Sequence, residues 1–240
     1  MAVAVRLGAV DWITHNGDHL RSGWQKDETT ISKETVKNLR LLWKVTLDNQ
    51  SKSVYSIIGS PLVVQRLITD RGFKELVYVA GSSDNLYAVD ADLGKLFWKR
   101  HFDYTAEIPQ NQNSTFLCPG GLTAGPAMSP RRGGAGGGIA SRTMYLATSD
   151  GMLHQINAAN GEDAVPPLPF MPPNGKPYSL AYLNDVIYTI TGQGCGGNLN
   201  SVYSIDLGDP AKTVRFWRSG GGGLWGTAGA AIGEDGTIFA

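Results

Sequence analysis

The residues able to do chemistry are few, and their spacing excludes more than it permits. Cys118 and Cys195 are the only two cysteines in the 240-residue chain. They form neither a Cys-x-x-Cys nor a Cys-x-x-Cys-His pattern, so they build no zinc ribbon and no covalent haem attachment. One disulfide is compatible with them and none is required. His15, His19, His101 and His154 are scattered, without the spacing of a metal-binding helix face or strand pair. His154 falls inside a repeated strand, where a hydrogen-bonded structural role is the simpler reading. Arg131-Arg132 precedes the run Gly133-Gly134-Ala135-Gly136-Gly137-Gly138. No Lys-Ser/Thr and no helical pattern follow, so this reads as a solvated loop and not a phosphate cradle.

Composition narrows the partners. Lys plus Arg equals Asp plus Glu at 21 each, so no net field draws phosphate backbones or an anionic membrane surface, and nucleic acid is not expected. No apolar run reaches the length of a membrane span. Met1 to Val10 is apolar but interrupted by Arg6, too short for a signal h-region with a cleavage site. Two readings follow: a cytoplasmic chain, or one whose natural start lies further upstream. The 31 glycines and 12 prolines suit many tight turns between short strands, and point to an all-β fold.

Internal repetition at the period of a propeller blade supplies the architecture. Val77 to Gly81, a polar turn, Leu86 to Asp90, a turn at Asp92-Leu93-Gly94 and a strand ending in Phe97-Trp98 form the first copy. Met144 to Thr148, Ser149-Asp150-Gly151, Met152 to Asn157 and Asn160-Gly161 form the second, with Tyr78 to Asp90 and Tyr145 to Asn157 spaced alike. Val186 to Ile190, a glycine-rich insertion from Gly192 to Asn200, Val202 to Asp206 and a strand reaching Phe216-Trp217 form the third. Upstream of each copy, Gly59 to Leu62, Ala124 to Ala127 and Pro177 to Leu180 are expected to open the innermost strand. Pro166-Pro167, Pro169 and Pro172-Pro173 mark an irregular outer strand or crossover, since proline cannot serve a central ladder.

Ala228 to Ala231 and Thr237 to Ala240 open a further blade. Val36 to Lys44 is expected to be an orphan outer strand whose partners lie beyond Ala240. The expected fold is a β-propeller of four-stranded antiparallel blades, with about three and a half blades of an eight-bladed ring present. The expected division is an opening segment with the orphan strand at 1–48, blades at 55–104, 122–170 and 177–218, and the start of another at 225–240. Unpaired edges in such a fragment predict marginal solubility.

Leu86-Tyr87-Ala88-Val89-Asp90-Ala91-Asp92-Leu93-Gly94-Lys95-Leu96-Phe97-Trp98 resembles the tryptophan-docking motif of the pyrroloquinoline quinone (PQQ) dehydrogenases and their propeller relatives. In physical terms the Asp and Gly make a tight turn, and the indole packs between blades, where its N–H needs an acceptor. Asp11-Trp12, Gly17-Asp18 and Arg21-Ser22-Gly23-Trp24 resemble the opening of the same proteins. The resemblance covers essentially the whole chain and implies a periplasmic or secreted location. The repeat also occurs in the outer-membrane assembly lipoprotein scaffold, which carries no quinone, so the fold does not settle catalysis.

The resemblance carries over to specific residues. Gly220 to Gly223 followed by Leu224-Trp225-Gly226 is similar to the segment on which the quinone stacks, which makes Trp225, with Gly226, the expected platform; an aromatic plug or an ordinary blade contact is the competing reading. Gln193 to Asn200 matches the loop that carries a calcium-ligating Glu in the family, with Cys195 and Gly196 beside the cofactor and Asn198 nearest the ligand position. Asn198 offers a neutral oxygen where Ca²⁺ or a lanthanide prefers carboxylate charge. Phe116-Leu117-Cys118-Pro119-Gly120 matches the stretch that holds adjacent cysteines near the quinone; with one cysteine here, that vicinal bridge cannot form. Cys118 either bridges to Cys195 across two loops, implying an oxidising compartment, or both remain separate thiols. The family's catalytic Asp and other metal ligands fall past Ala240.

Two functions follow. One is a PQQ dehydrogenase oxidising an alcohol or sugar, with a separate electron acceptor. The other is a non-catalytic propeller presenting loops and blade edges to protein partners in the cell envelope.

Overall fold

The computed structural model describes residues 11–26, 28–50, 58–104, 118, 120–130, 142–220, 223–224 and 226–240. The stretches Met1–Val10 and Arg131–Gly138, the residues Phe116, Leu117 and Pro119, and Trp225 lie outside them.

Three four-stranded antiparallel sheets follow one another along the chain, each with its strands in sequence order. The first holds β1 (Leu62–Thr69), β2 (Gly72–Gly81), β3 (Asn85–Asp90) and β4 (Lys95–His101). The second holds β5 (Ala127–Met128), β6 (Thr143–Ala147), β7 (Met152–Asn157) and β8 (Asp163–Pro169). The third holds β9 (Ala181–Leu183), β10 (Val186–Ile190), β11 (Ser201–Asp206) and β12 (Val214–Arg218). A short hairpin, β13 (Ala231–Ile232) with β14 (Ile238–Phe239), comes next. The proline-rich stretch occupies the outer strand β8, whose pairing to β7 shifts register twice; an edge strand tolerates the missing N–H groups.

The repeated turn residues form the same local structure in each blade. Asp90 Oδ1 accepts from the Asp92 and Leu93 N–H groups, both at 3.1 Å. Asn157 Oδ1 accepts from Ala159 N at 3.0 Å and Asp206 Oδ1 from Gly208 N at 2.8 Å. Such side chains close a turn by replacing a backbone acceptor. The apolar faces they align pack between blades. Leu62, Tyr78, Leu86 and Ala88 of the first sheet share one core with Met128, Met144 and Ile156 of the second. Leu153, Leu180, Ile187 and Tyr203 join the second to the third. Ile190, Val202, Ala230 and Ile232 join the third to the β13–β14 hairpin. Full burial of each large aliphatic side chain contributes roughly 1.5–3 kcal/mol.

Val36–Asn38, at the start of the expected orphan strand, is a 3-10 turn, and Leu39–Lys44 has no strand partner among the described residues, its expected partners falling past Ala240. Trp43 anchors this stretch, donating from Nε1 to Ala91 O at 2.7 Å and covering Gly94, where a Cβ would stand 2.5 Å from the indole. The innermost strand of the third blade is Ala181–Leu183 and not Pro177–Leu180; Pro177 makes only an isolated bridge to Thr191.

The segment 11–21 stitches the blades together along their innermost strands. Trp12 exchanges both backbone hydrogen bonds with Val63, at 2.8 and 2.9 Å. Ile13 O accepts from Met128 N at 2.8 Å, Thr14 Oγ1 donates to Leu180 O at 2.6 Å, and His19 O accepts from Ile232 N at 2.8 Å. Arg21 closes this run with five hydrogen bonds. Nε donates to Ala230 O, Nη1 to Thr14 Oγ1 and His15 O, and Nη2 to Ser179 O and Leu180 O. All five guanidinium donors are used. Burial pulls Arg21 down to about 10, opposed by the Asp18 charge, so it stays charged at neutral pH.

Candidate functional site

In an antiparallel blade the turn between the second and third strands and the connection to the next blade emerge at the same end. Cys118 lies in the β4–β5 connection and Cys195 in the β10–β11 turn, and these two loops meet. Their sulfurs form a disulfide with Cα atoms 5.6 Å apart. Of the two sequence readings, the cross-loop bridge is the one formed.

The Cys195 loop is a compact coil. Gln193, Gly194, Gly196 and Gly197 all have positive φ, and Cys195–Gly197 is a 3-10 turn. Gly196 is needed on steric grounds, because a Cβ there would lie 2.6 Å from Asn198 Nδ2 and 2.8 Å from the Asn174 carbonyl carbon. Asn198 Nδ2 donates to Pro173 O at 3.1 Å and to Cys195 O at 3.2 Å. Its carboxamide therefore ties the Cys195 turn to the 173–174 loop.

Gly192 admits a third segment. A Cβ at Gly192 would stand 2.5 Å from the Tyr178 ring and 2.9 Å from Leu224 O, so Leu224 packs where any larger residue would block it. Leu224 is buried. Cys118, Cys195, Gly196 and Asn198 thus gather in one cluster with the chain at Leu224 against it. Trp225, the predicted platform, lies outside the described residues; among the described residues no atom lies within 4 Å of where a Cβ would stand at Gly226, with φ +130°, or at Gly120 beside Cys118.

Lys176 and Tyr178 belong to this cluster; Lys176 carries no sequence signal, and Tyr178 falls in the stretch expected to open an innermost strand. Lys176 O accepts from Gly192 N at 3.1 Å, and its Nζ stands 5.7 Å from the Tyr178 ring centroid. Burial holds the Lys176 ammonium below its ordinary range. These residues sit in a Pro- and Gly-rich connection with no periodic pattern, so only the fold brings them to Gly192.

Of the metal site that the resemblance implies, only the Asn198 position falls within the described residues. No group of three or more His, Cys, Asp or Glu side chains able to hold a metal ion occurs among them, and Gln193 to Asn200 contains no carboxylate. Asn198 adds one neutral oxygen, too little for a hard cation by itself. No helix among the described residues is long and apolar enough to cross a membrane.

No family model and no curated protein matches the chain. Solved structures do. Quinohemoprotein alcohol dehydrogenase from Comamonas testosteroni is similar at TM-score 0.53 and 16% identity, over 87% of this chain and 27% of that one. A europium-containing methanol dehydrogenase is similar at TM-score 0.49 and 17% identity, over 82% and 30% of the two chains. BamB from Moraxella catarrhalis follows at TM-score 0.35 and 13% identity, over 65% and 48%. The chain spans about a quarter of the length of the Comamonas enzyme. At such identity the likeness establishes architecture and nothing finer: the chain has the fold of a β-propeller built from four-stranded antiparallel blades.

Proposed function

We propose that this chain is part of a quinone-binding propeller of the alcohol- or sugar-oxidising kind, with the pocket at the Cys118–Cys195 loop cluster. The observation that supports this reading is the disulfide: it joins the two loops that the sequence resemblance assigns to the quinone pocket. Trp225 would present the stacking face, in the offset geometry that aromatic systems favour. The bare backbone at Gly120 and Gly226 leaves room for a flat ligand. Lys176, the partly buried cation of the cluster, would face the carboxylates of PQQ. When bound, the quinone would supply the two-electron acceptor; the residues here would hold and orient it. A disulfide of this kind persists in oxidising compartments, which agrees with a periplasmic or secreted location.

A second reading, a non-catalytic scaffold for protein partners in the envelope, is favoured by one feature. The position nearest the family's metal ligand is Asn198, a neutral carboxamide whose nitrogen ties together Pro173 O and Cys195 O.

The separating experiment is a titration of PQQ into the chain, with and without Ca²⁺, followed by tryptophan fluorescence beside Trp225→Ala and Lys176→Met variants. Saturable quenching that is lost in Trp225→Ala and weakened in Lys176→Met supports the quinone site. A folded chain that shows no quenching leaves the scaffold reading.

A further inference from the structure

Each complete blade ends in an outer strand, β4, β8 or β12, that pairs on one side only among the described residues. Such an edge offers a row of backbone N–H and C=O groups to any other extended chain. Two of the three edges are guarded. In β4 the charges are spent within the protein: Lys99 Nζ pairs with Asp48 and Arg100 Nη2 with Asp163, both at 2.6 Å, and the Arg71 guanidinium lies 4.6 Å over the Phe97 ring. β8 carries Pro166, Pro167 and Pro169, which have no N–H to give to a neighbouring strand.

β12 has neither device. Its residues, Val214-Arg215-Phe216-Trp217-Arg218, include no proline and no acid. The Arg215 and Arg218 side chains make no hydrogen bond or ion pair among the described residues, and Arg218 lies 5.0 Å over the Phe216 ring. Phe216 is 56% exposed and Trp217 60%, which is large for aromatic side chains on a strand. Beside Phe216 a groove of about 330 Å³ runs between the second and third blades, lined in part by Pro169, Met171, Tyr203, Val214, Phe216 and Arg218. Its wall is an aromatic row leading outward: Phe170 lies 6.5 Å from Tyr203, and Tyr203 6.1 Å from Phe216. Side chains alternate along a strand, so Val214, Phe216 and Arg218 face this groove while Arg215 and Trp217 face away from it.

We propose that β12 is a docking edge for an extended, acidic segment of a partner protein, which adds to the third blade as a fifth strand. The open backbone groups give the pairing, the unpaired arginines select acids, and the groove takes an apolar side chain opposite Phe216. In the antiparallel order of this sheet, a fitting segment reads Glu-Ile-Tyr-Glu-Val. Its two acids then stand opposite Arg218 and Arg215, and its Tyr opposite Phe216. The proposal does not rest on the quinone reading, since none of these residues belongs to the disulfide cluster.

The test is NMR of the isotope-labelled full chain, titrated with the blocked peptide Ser-Glu-Ile-Tyr-Glu-Val-Ser and followed at the Arg215 to Arg218 amides. Saturable shifts are expected there, weakening as salt rises. A peptide with lysines in place of both glutamates should bind roughly tenfold more weakly. Of two forms methylated on alternate backbone nitrogens, one should bind and the other should not, because only one edge of the added strand meets β12. The double variant Arg215→Glu, Arg218→Glu changes exposed side chains and should reverse the preference, taking the lysine peptide. No saturable shift at β12, equal binding of the lysine peptide or of the two methylated forms, or a double variant that still prefers the acidic peptide would overturn the proposal. Shifts with phosphatidylglycerol vesicles and none with the acidic peptide would overturn it in favour of a membrane surface.

Discussion

Tyr78 and Trp98, both from the first blade, donate to a single acceptor in the second. Tyr78 Oη reaches Ala158 O at 2.9 Å and Trp98 Nε1 reaches it at 3.1 Å, with the two rings 5.7 Å apart. Ala158 follows the Asn157 turn as Ala91 follows the Asp90 turn, and Ala91 O receives Trp43 in the same way. The seam between blades is thus a repeated polar anchor inside an apolar contact.

Removing one of the two donors should cost little, and crowding the contact more. Trp98→Phe loses one hydrogen bond, about 1 kcal/mol, while Tyr78 still satisfies Ala158. Gly161→Ala should cost more than Trp98→Phe, because Gly161 has φ +81° and its Cβ would stand 2.9 Å from the Trp98 ring. Urea unfolding of the two variants checks the order.

Arg21 joins the opening segment to the third blade and the β13–β14 hairpin through its five hydrogen bonds. Arg21→Met should destabilise by about 3–4 kcal/mol, since several carbonyls lose a charged donor at once. Arg21→Lys should recover only part of this, because a lysine has three donors and no planar fork. Chemical denaturation gives both values.

The Cys118–Cys195 bridge closes a loop of sequence separation 77. By chain entropy this is worth roughly 4 kcal/mol against the unfolded state. Reduction, or Cys195→Ser, should lower Tm by about 10 °C, measured by calorimetry with and without reductant. If the quinone reading holds, PQQ affinity should fall together with Tm.

The Arg100–Asp163 pair crosses the seam between blades, and it carries a pH signature. Burial acts to raise the Asp163 carboxyl, but hydrogen bonds and charge from Arg100 and His154 outweigh it and hold it below the ordinary range. As pH falls, the unfolded chain takes up this proton first. The stabilisation is therefore complete above about pH 4 and is lost as pH drops through the lowered native value. Asp163→Asn should be less stable at neutral pH and show a shallower acid loss of Tm, read from melting curves across acid pH.

The sequence by itself determined the local, repeated parts of this protein. Alternating apolar residues mark β2, β3, β6, β7, β10 and β11, and Asp90, Asn157 and Asp206 mark the turns, because each pattern acts on its own neighbours in the chain. Trp98 was legible for the same reason, as a fixed distance from Asp90. The tertiary structure decided whatever depends on distant partners. Cys118 and Cys195 could be read as bridged or free until the loops were placed. The anchoring of Trp43 on Ala91 O depends on a turn 48 residues further along the chain. Arg21 and Lys176 carry no periodic signal. Their roles arise from carbonyls and carboxylates that folding brings in from other blades, and a buried polar group takes its character from the partners that surround it.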